Sequence, residues 1–267
     1  MGWGWINAEE FSFNCLLLFE RFQIRGMFRW HKNDENWTKN MAVALKYNPA
    51  VKWYLQYKCP EAAEIIEEVA EKFTGEASPE EIRKAEIFVL DGLEDFVIYT
   101  KPEIMDTNCD FIYAWDKSRL FELADFRDKI VLDVGSGSGR LAFAAAEFAK
   151  EVYASEPVDS LREYLREKIK RENIKNMRIV DGMADNLAYP DNIFDIVMSG
   201  HVVGDDYDNE IAELTRVCKS GGWILDCPGE VMGGQPDKEA VNCGWEEFHY
   251  INKFGGNVYR YRKQIVK

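Results

Sequence analysis

Three glycines and two acids in the second half of the chain have the types and spacing of a ligand cradle. The run Val131-Leu132-Asp133-Val134-Gly135-Ser136-Gly137-Ser138-Gly139 passes from apolar residues through an acid into Gly-x-Gly-x-Gly, and a helical pattern comes next. A sharp strand-to-helix turn needs backbone angles that a Cβ opposes, and glycine lets a ligand lie against the main chain. The helix behind the turn offers free N–H donors in its first turn. Asp133 argues against a pyrophosphate at this place, because like charges repel, whereas a zwitterionic amino-acid moiety tolerates it. Arg140 stands where a dinucleotide fold wants a third glycine for close helix packing. Glu156 closes the next strand-like run, where a carboxylate can accept both hydroxyls of a ribose.

A second group of chemical residues comes after the fourth strand-like run: Ser199-Gly200-His201-Val202-Val203-Gly204-Asp205-Asp206-Tyr207-Asp208. Open parallel sheets bind ligands beyond the carboxyl ends of their strands, so this loop is the place for substrate chemistry. An unperturbed imidazole titrates near neutrality and serves as a base. His201 and Asp205 are therefore the catalytic candidates, with Tyr207 beside them for substrate. Asp206 or Asp208 reads as the cap of the next helix, and no metal is expected. Glu230 is a further rim candidate. Tyr99, Tyr113 and Trp115, with Phe111, precede the first strand and are expected to wall a pocket; aromatic faces also hold cations.

The elements that must position these residues fall into two regions. Residues 1–127 read as helical and aromatic-rich. A proline opens the helix after Cys59, Ser78 and Glu81 form a capping box whose helix should run to about Ile98, and Pro49 should split or kink the segment 37–55. A short helix is expected over 116–123. Residues 128–267 alternate short β-branched runs with amphipathic segments, the pattern of a parallel sheet with crossover helices. Strands are predicted at 129–134, 151–155, 177–180, 194–199 and 223–226, with helices at 140–148, 160–172 and 208–218. Two last runs, 247–251 and 258–266, read as a hairpin closing the sheet edge.

This constellation resembles the class I, Rossmann-like methyltransferases that use S-adenosylmethionine. The likeness covers about residues 128–227, with the terminal hairpin matching that family's antiparallel last strand. It implies a doubly wound, mostly parallel α/β sheet with an antiparallel hairpin, and leaves the helical N-terminal region as a cap. It also implies cofactor contacts from Asp133, Gly135, Ser136, Gly137 and Gly139, from Glu156 to the ribose, from Met183 and Ala184 in the adenine loop, and from Ser199 and Gly200. Many members carry an acid before that alanine, where this chain has Met183. The implied reaction is direct displacement of a methyl group onto a small-molecule acceptor.

The formal net charge of −14 makes nucleic acid and anionic membranes poor partners. The apolar run 11–19 is too short to span a bilayer and is preceded by Glu9 and Glu10, so it fails as a signal peptide. Six cysteines without a C-x-x-C pair read as reduced thiols, which places the chain in the cytoplasm. Two other functions fit less well: a protein that binds the cofactor without catalysis, and a nicotinamide-dependent oxidoreductase, which Arg140 and Asp133 oppose. The acceptor and the oligomeric state are not legible.

Overall fold

The computed structural model describes residues 4–204, 206–228 and 234–267. Asp205 and Glu230 thus lie outside the described residues, as does any role proposed for them. The chain divides into two compact units, Met1–Asn108 and Cys109–Lys267. The sequence pattern put the change at 127. Residues 109–127 instead belong with the sheet, because Leu120, Leu123 and Phe126 are buried in the same cluster as Val131 and Leu141.

The first unit is helical: α1 Arg21–His31, α2 Glu35–Tyr47, α3 Pro49–Lys58, α4 Ala63–Ala70, α5 Pro79–Asp91, α6 Glu94–Val97 and α7 Met105–Asn108, with short 3-10 turns between them. Pro49 splits 37–55 into two helices, taking the first position of α3, where its missing N–H costs nothing. The Ser78–Glu81 capping box is formed. The helix it opens stops at Asp91 rather than Ile98. Gly92 lies against the Trp37 ring, where a Cβ would come within 3.4 Å of the indole. Trp37 is itself buried between Phe28 and His31. Tyr99 packs half-buried against this unit's core.

The second unit carries α8 Asp110–Tyr113, a 3-10 segment Lys117–Glu122, β1 Ile130–Val134, α9 Arg140–Ala146, β2 Glu151–Ser155, α10 Asp159–Arg171, β3 Met177–Val180, β4 Phe194–Ser199, α11 Tyr207–Val217, β5 Cys218–Asp226, α12 Lys238–Asn242, β6 Glu246–Ile251 and β7 Asn257–Gln264. One seven-stranded sheet runs in the order β3-β2-β1-β4-β5-β7-β6. The first five strands are parallel, and β7 pairs antiparallel with both β5 and β6. The sequence expectation of a doubly wound sheet with a terminal hairpin holds. β5 begins at Cys218, earlier than the expected 223. Its pairing passes through an irregularity, Phe194 facing Cys218 and Ile196 facing Trp223. Gly222 allows this, since a Cβ there would meet the Asp195 carbonyl at 2.8 Å.

Two apolar layers cover the sheet. Leu141, Ala142, Ala144 and Ala145 of α9 pack with Val131, Val152 and Ile196 on one face. Leu214 and Val217 of α11 pack with Leu132, Val197 and Ile224 on the other. The small side chains of α9 let it approach closely, which fixes the glycine turn at its start. No helix among the described residues is long and apolar enough to cross a membrane.

Candidate active site

The glycine turn joins β1 to α9 at the carboxyl edge of the sheet. Gly135, Gly137 and Gly139 all hold positive φ, at 64°, 57° and 97°. A Cβ on Gly135 would sit 2.4 Å from Val202, and one on Gly139 would sit 2.5 Å from the Phe143 ring. The turn is thus fixed twice, by backbone angle and by neighbours that occupy the space of a side chain. Gly135 and Ser136 donate their N–H groups to the Ser155 carbonyl at 2.8 and 3.1 Å, which ties the turn to the end of β2. Ser136 Oγ donates back to the Asp133 carbonyl at 3.0 Å, so this hydroxyl supports the turn from inside.

Asp133 is 1% exposed and accepts from the Ala142 N–H of α9 at 3.0 Å. Gly139 is the N-cap of α9 and brings no capping side chain; the carboxylate from β1 takes over that work. Asp133 therefore holds the helix that presents the turn. Burial pushes its carboxyl up to about 7 against the pull of Ser136, Arg140 and the Ala142 amide.

Glu156 lies just past β2, 4% exposed. One of its carboxylate oxygens accepts from the Gly137 N–H at 2.8 Å and the other from Val158 N–H at 2.9 Å. Each oxygen keeps a second lone pair for a ligand hydroxyl. Burial again pushes this acid up to about 7. Arg162 stiffens the corner by donating to the carbonyls of Glu156 and Pro157 at 2.9 and 2.7 Å.

The remaining cofactor candidates lie at or beyond the carboxyl ends of β3 and β4, the strands flanking β2 and β1. Met183 and Ala184 open a tight turn in which Asn186 N–H donates to the Met183 carbonyl at 3.0 Å. Met183 is half-buried and Ala184 buried. Ser199 ends β4 opposite Val134, fully buried, and its Oγ has no hydrogen-bond partner. A Cβ on Gly200 would meet Arg140 Nη2 at 2.5 Å and the Cys227 carbonyl at 2.8 Å.

His201 comes next with a left-handed backbone, φ 61°. Its ring stands edge-on to Phe111, centroids 5.2 Å apart. The residue keeps open surface. Desolvation, then the Arg140 charge, pushes the imidazole down to about 4. It is neutral at physiological pH, a hydrogen-bond acceptor and a weak base. Tyr207 starts α11; its hydroxyl accepts from the Trp245 indole at 3.2 Å. Asp206 is the N-cap of α11, but its carboxylate accepts from the Asn209 side chain instead of the backbone. Tyr113 is 51% exposed. Among the described residues no cluster of His, Cys, Asp or Glu could hold a metal ion.

Two side chains here had no role legible in the sequence. Arg140 stood out only as not being glycine; its Nη2 donates to the Cys227 carbonyl at 2.6 Å and its guanidinium lies 5.1 Å from the Trp115 ring. Arg260 on β7 is 1% exposed, 5.8 Å from that same ring. The available signal was alternation: Val258 and Arg260 share a face of β7, and Val258 is buried.

A parallel sheet with this strand order, a glycine turn after β1 and a buried acid after β2 is the fold of the class I, Rossmann-like methyltransferases, for which S-adenosylmethionine is the expected cofactor. Residues 132–225 match the family described as "Methyltransferase domain". The demethylmenaquinone methyltransferase of Anoxybacillus flavithermus is 30% identical over 152 residues, 55% of this chain and 62% of that protein. That of a Geobacillus species is 28% identical over 116 residues, 42% of this chain and 50% of the relative. The chain spans about half the length of the curated relatives it matches. A solved S-adenosylmethionine-dependent methyltransferase from Aquifex aeolicus superposes with a TM-score of 0.51, 20% identical, covering 63% of this chain and 98% of the other; that likeness concerns the fold.

Proposed function

We propose that this chain is a cytoplasmic methyltransferase that moves a methyl group from S-adenosylmethionine to a small-molecule acceptor. The observation that carries the reading is the combination of a glycine turn with no room for side chains and Glu156, buried beside it with lone pairs to spare. Ser199 adds a buried hydroxyl without a partner, which suits a polar ligand at the end of β4. These residues fit a nucleoside joined to an amino acid: Glu156 for the ribose, the side-chain-free face of the glycine turn for close approach of the amino-acid part, Met183 and Ala184 for the base. When bound, the cofactor supplies an electrophilic methyl on a sulfonium.

The chain's own residues then bind, orient and exclude water. Asp133 holds α9 so that the turn keeps its shape. Val202, pressed against Gly135, sets the start of the loop where the acceptor lies. Neutral His201 accepts a hydrogen bond from the acceptor and helps to align it; with its proton affinity lowered, it is not a cation competing with the sulfonium. Alignment of nucleophile, methyl carbon and sulfur supplies most of the effect in such a displacement.

The test is calorimetry with S-adenosylhomocysteine, and then incubation of the protein with methyl-labelled S-adenosylmethionine and a fractionated metabolite extract. Binding at micromolar concentrations and label appearing in a small organic product are expected. Binding without any release of S-adenosylhomocysteine would make the chain a cofactor-binding protein, and no binding would remove the reading.

A further inference from the structure

The second unit holds a cluster of buried cations that no acid among the described residues hydrogen-bonds or ion-pairs. Arg260 spends Nη2 on the Tyr250 hydroxyl at 3.0 Å, while its Nε and Nη1 are buried without partners. Arg140 spends Nη2 on the Cys227 carbonyl, and its Nη1 is shielded from solvent without a partner. The Trp115 indole Nε1 is in the same condition. Arg119, whose guanidinium lies 4.9 Å from the Tyr250 ring, has ion pairs to Asp116 and Glu122. No such pair forms at Arg140 or Arg260 among the described residues. Burial and the neighbouring Arg260 charge push Arg140 down to about 10.

Every unmet polar atom of Arg140, Arg260 and Trp115 is a donor. Asp133 acts on Arg140, and Asp116 on Arg260, only through space; two buried guanidiniums without a hydrogen-bonded acid are costly, so the missing complement is an acceptor with negative charge. A guanidinium fork matches a carboxylate in shape as well as charge, and the Trp115 and Tyr250 rings favour a flat apolar body beside it.

The sheet order places Arg260 away from Glu156, while Arg140 follows the glycine turn and reaches over to the Cys227 carbonyl. Asp226 pairs with Tyr261, so Arg260 stands level with Cys227 at the carboxyl end of β5. Glu156 lies after β2, on the other side of β1 and β4. A nucleoside seated on Glu156 leaves the β5–β7 side to the second substrate. We propose that Arg140 and Arg260, walled by Trp115 and Tyr250, bind a carboxylate carried by the methyl acceptor, which makes the substrate class small planar organic acids. This rests on the methyltransferase reading above.

The test compares benzoate with its neutral isostere benzamide. Both are titrated into the full chain saturated with S-adenosylhomocysteine, as wild type and as Arg260→Gln and Arg260→Lys. The wild type should bind benzoate about tenfold or more tightly than benzamide. Arg260→Gln should lose that preference and Arg260→Lys should keep part of it, with S-adenosylhomocysteine affinity changed less than about twofold. Equal affinity for benzoate and benzamide in the wild type would overturn the proposal, and this arm needs no variant to fold. If Arg260→Gln weakens S-adenosylhomocysteine about tenfold but spares 5′-methylthioadenosine, which lacks the amino acid, the cations serve the cofactor's own carboxylate and the proposal also falls. Should S-adenosylhomocysteine not bind at all, the methyltransferase reading fails by itself, and the benzoate arm run on the ligand-free chain still decides the anion site.

Discussion

Glu156 and Asp133 are both buried acids pushed up to about 7, well above the value near 4 of an unfolded chain. The folded state therefore holds their protons more tightly. The stability this linkage contributes is full below pH 4 and is lost as pH rises through about 7, at up to about 1.4 kcal/mol per pH unit for each group. Ribose hydroxyls donate to a carboxylate and favour its ionised form. Taking up the nucleoside near pH 6 must then expel a proton from Glu156. Affinity for S-adenosylhomocysteine should rise between pH 6 and 8, and calorimetry in buffers of different ionisation enthalpy should register the released proton. Glu156→Gln should remove both effects and weaken binding about tenfold or more, since hydrogen bonds to a charged group contribute about 1.5–3 kcal/mol. A pH-independent affinity in a chain that binds normally would contradict this account.

The glycine turn and the loop after β4 act as one element, because Gly135 leaves the space that Val202 fills. Gly135→Ala should cost about 1–2 kcal/mol from its left-handed backbone alone and more from displacing Val202, with cofactor affinity falling alongside. Adding Val202→Ala should return the steric part and leave the backbone part, as read by urea unfolding and ligand titration of the single and double variants. Unchanged stability in Gly135→Ala would mean that the two segments are not coupled. Much at this scale was legible beforehand. β2, β3 and β4 lie at 151–155, 177–180 and 194–199, as read from short β-branched runs between turns. The early start of β5 was hidden because Ser220-Gly221-Gly222 reads as a turn, yet β4 pairs with residues on both sides of it, Cys218 and Trp223. The helix ends at Gly92, a local stop signal that the apolar periodicity running on to Val97 masked, and there it packs on Trp37. The turn and Glu156 were legible because their chemistry is local. Arg260 was not, since an arginine on a strand reads as solvent-facing until Tyr250 and Trp115 are seen around it.

For the whole molecule, the division at Asn108 bears on how ligands stabilise it. A ligand that binds only the folded second unit at about 100 times its Kd adds about 2.7 kcal/mol, or roughly 5–10 °C for a domain of this size. In scanning calorimetry S-adenosylhomocysteine should raise the transition of the second unit; if the units melt separately, that of the first should stay in place. A shift of the first transition alone would place the ligand elsewhere. The position of β7 between β5 and β6 has one more consequence, for the order of assembly. The glycine turn and Glu156 need only the strands up to β5, which become neighbours as the chain emerges. Arg260 joins them only when β7, later in the chain than all five parallel strands, inserts beside β5. On the proposed assignment, a nascent or refolding chain acquires its grip on the nucleoside before it acquires the means to choose which molecule receives the methyl.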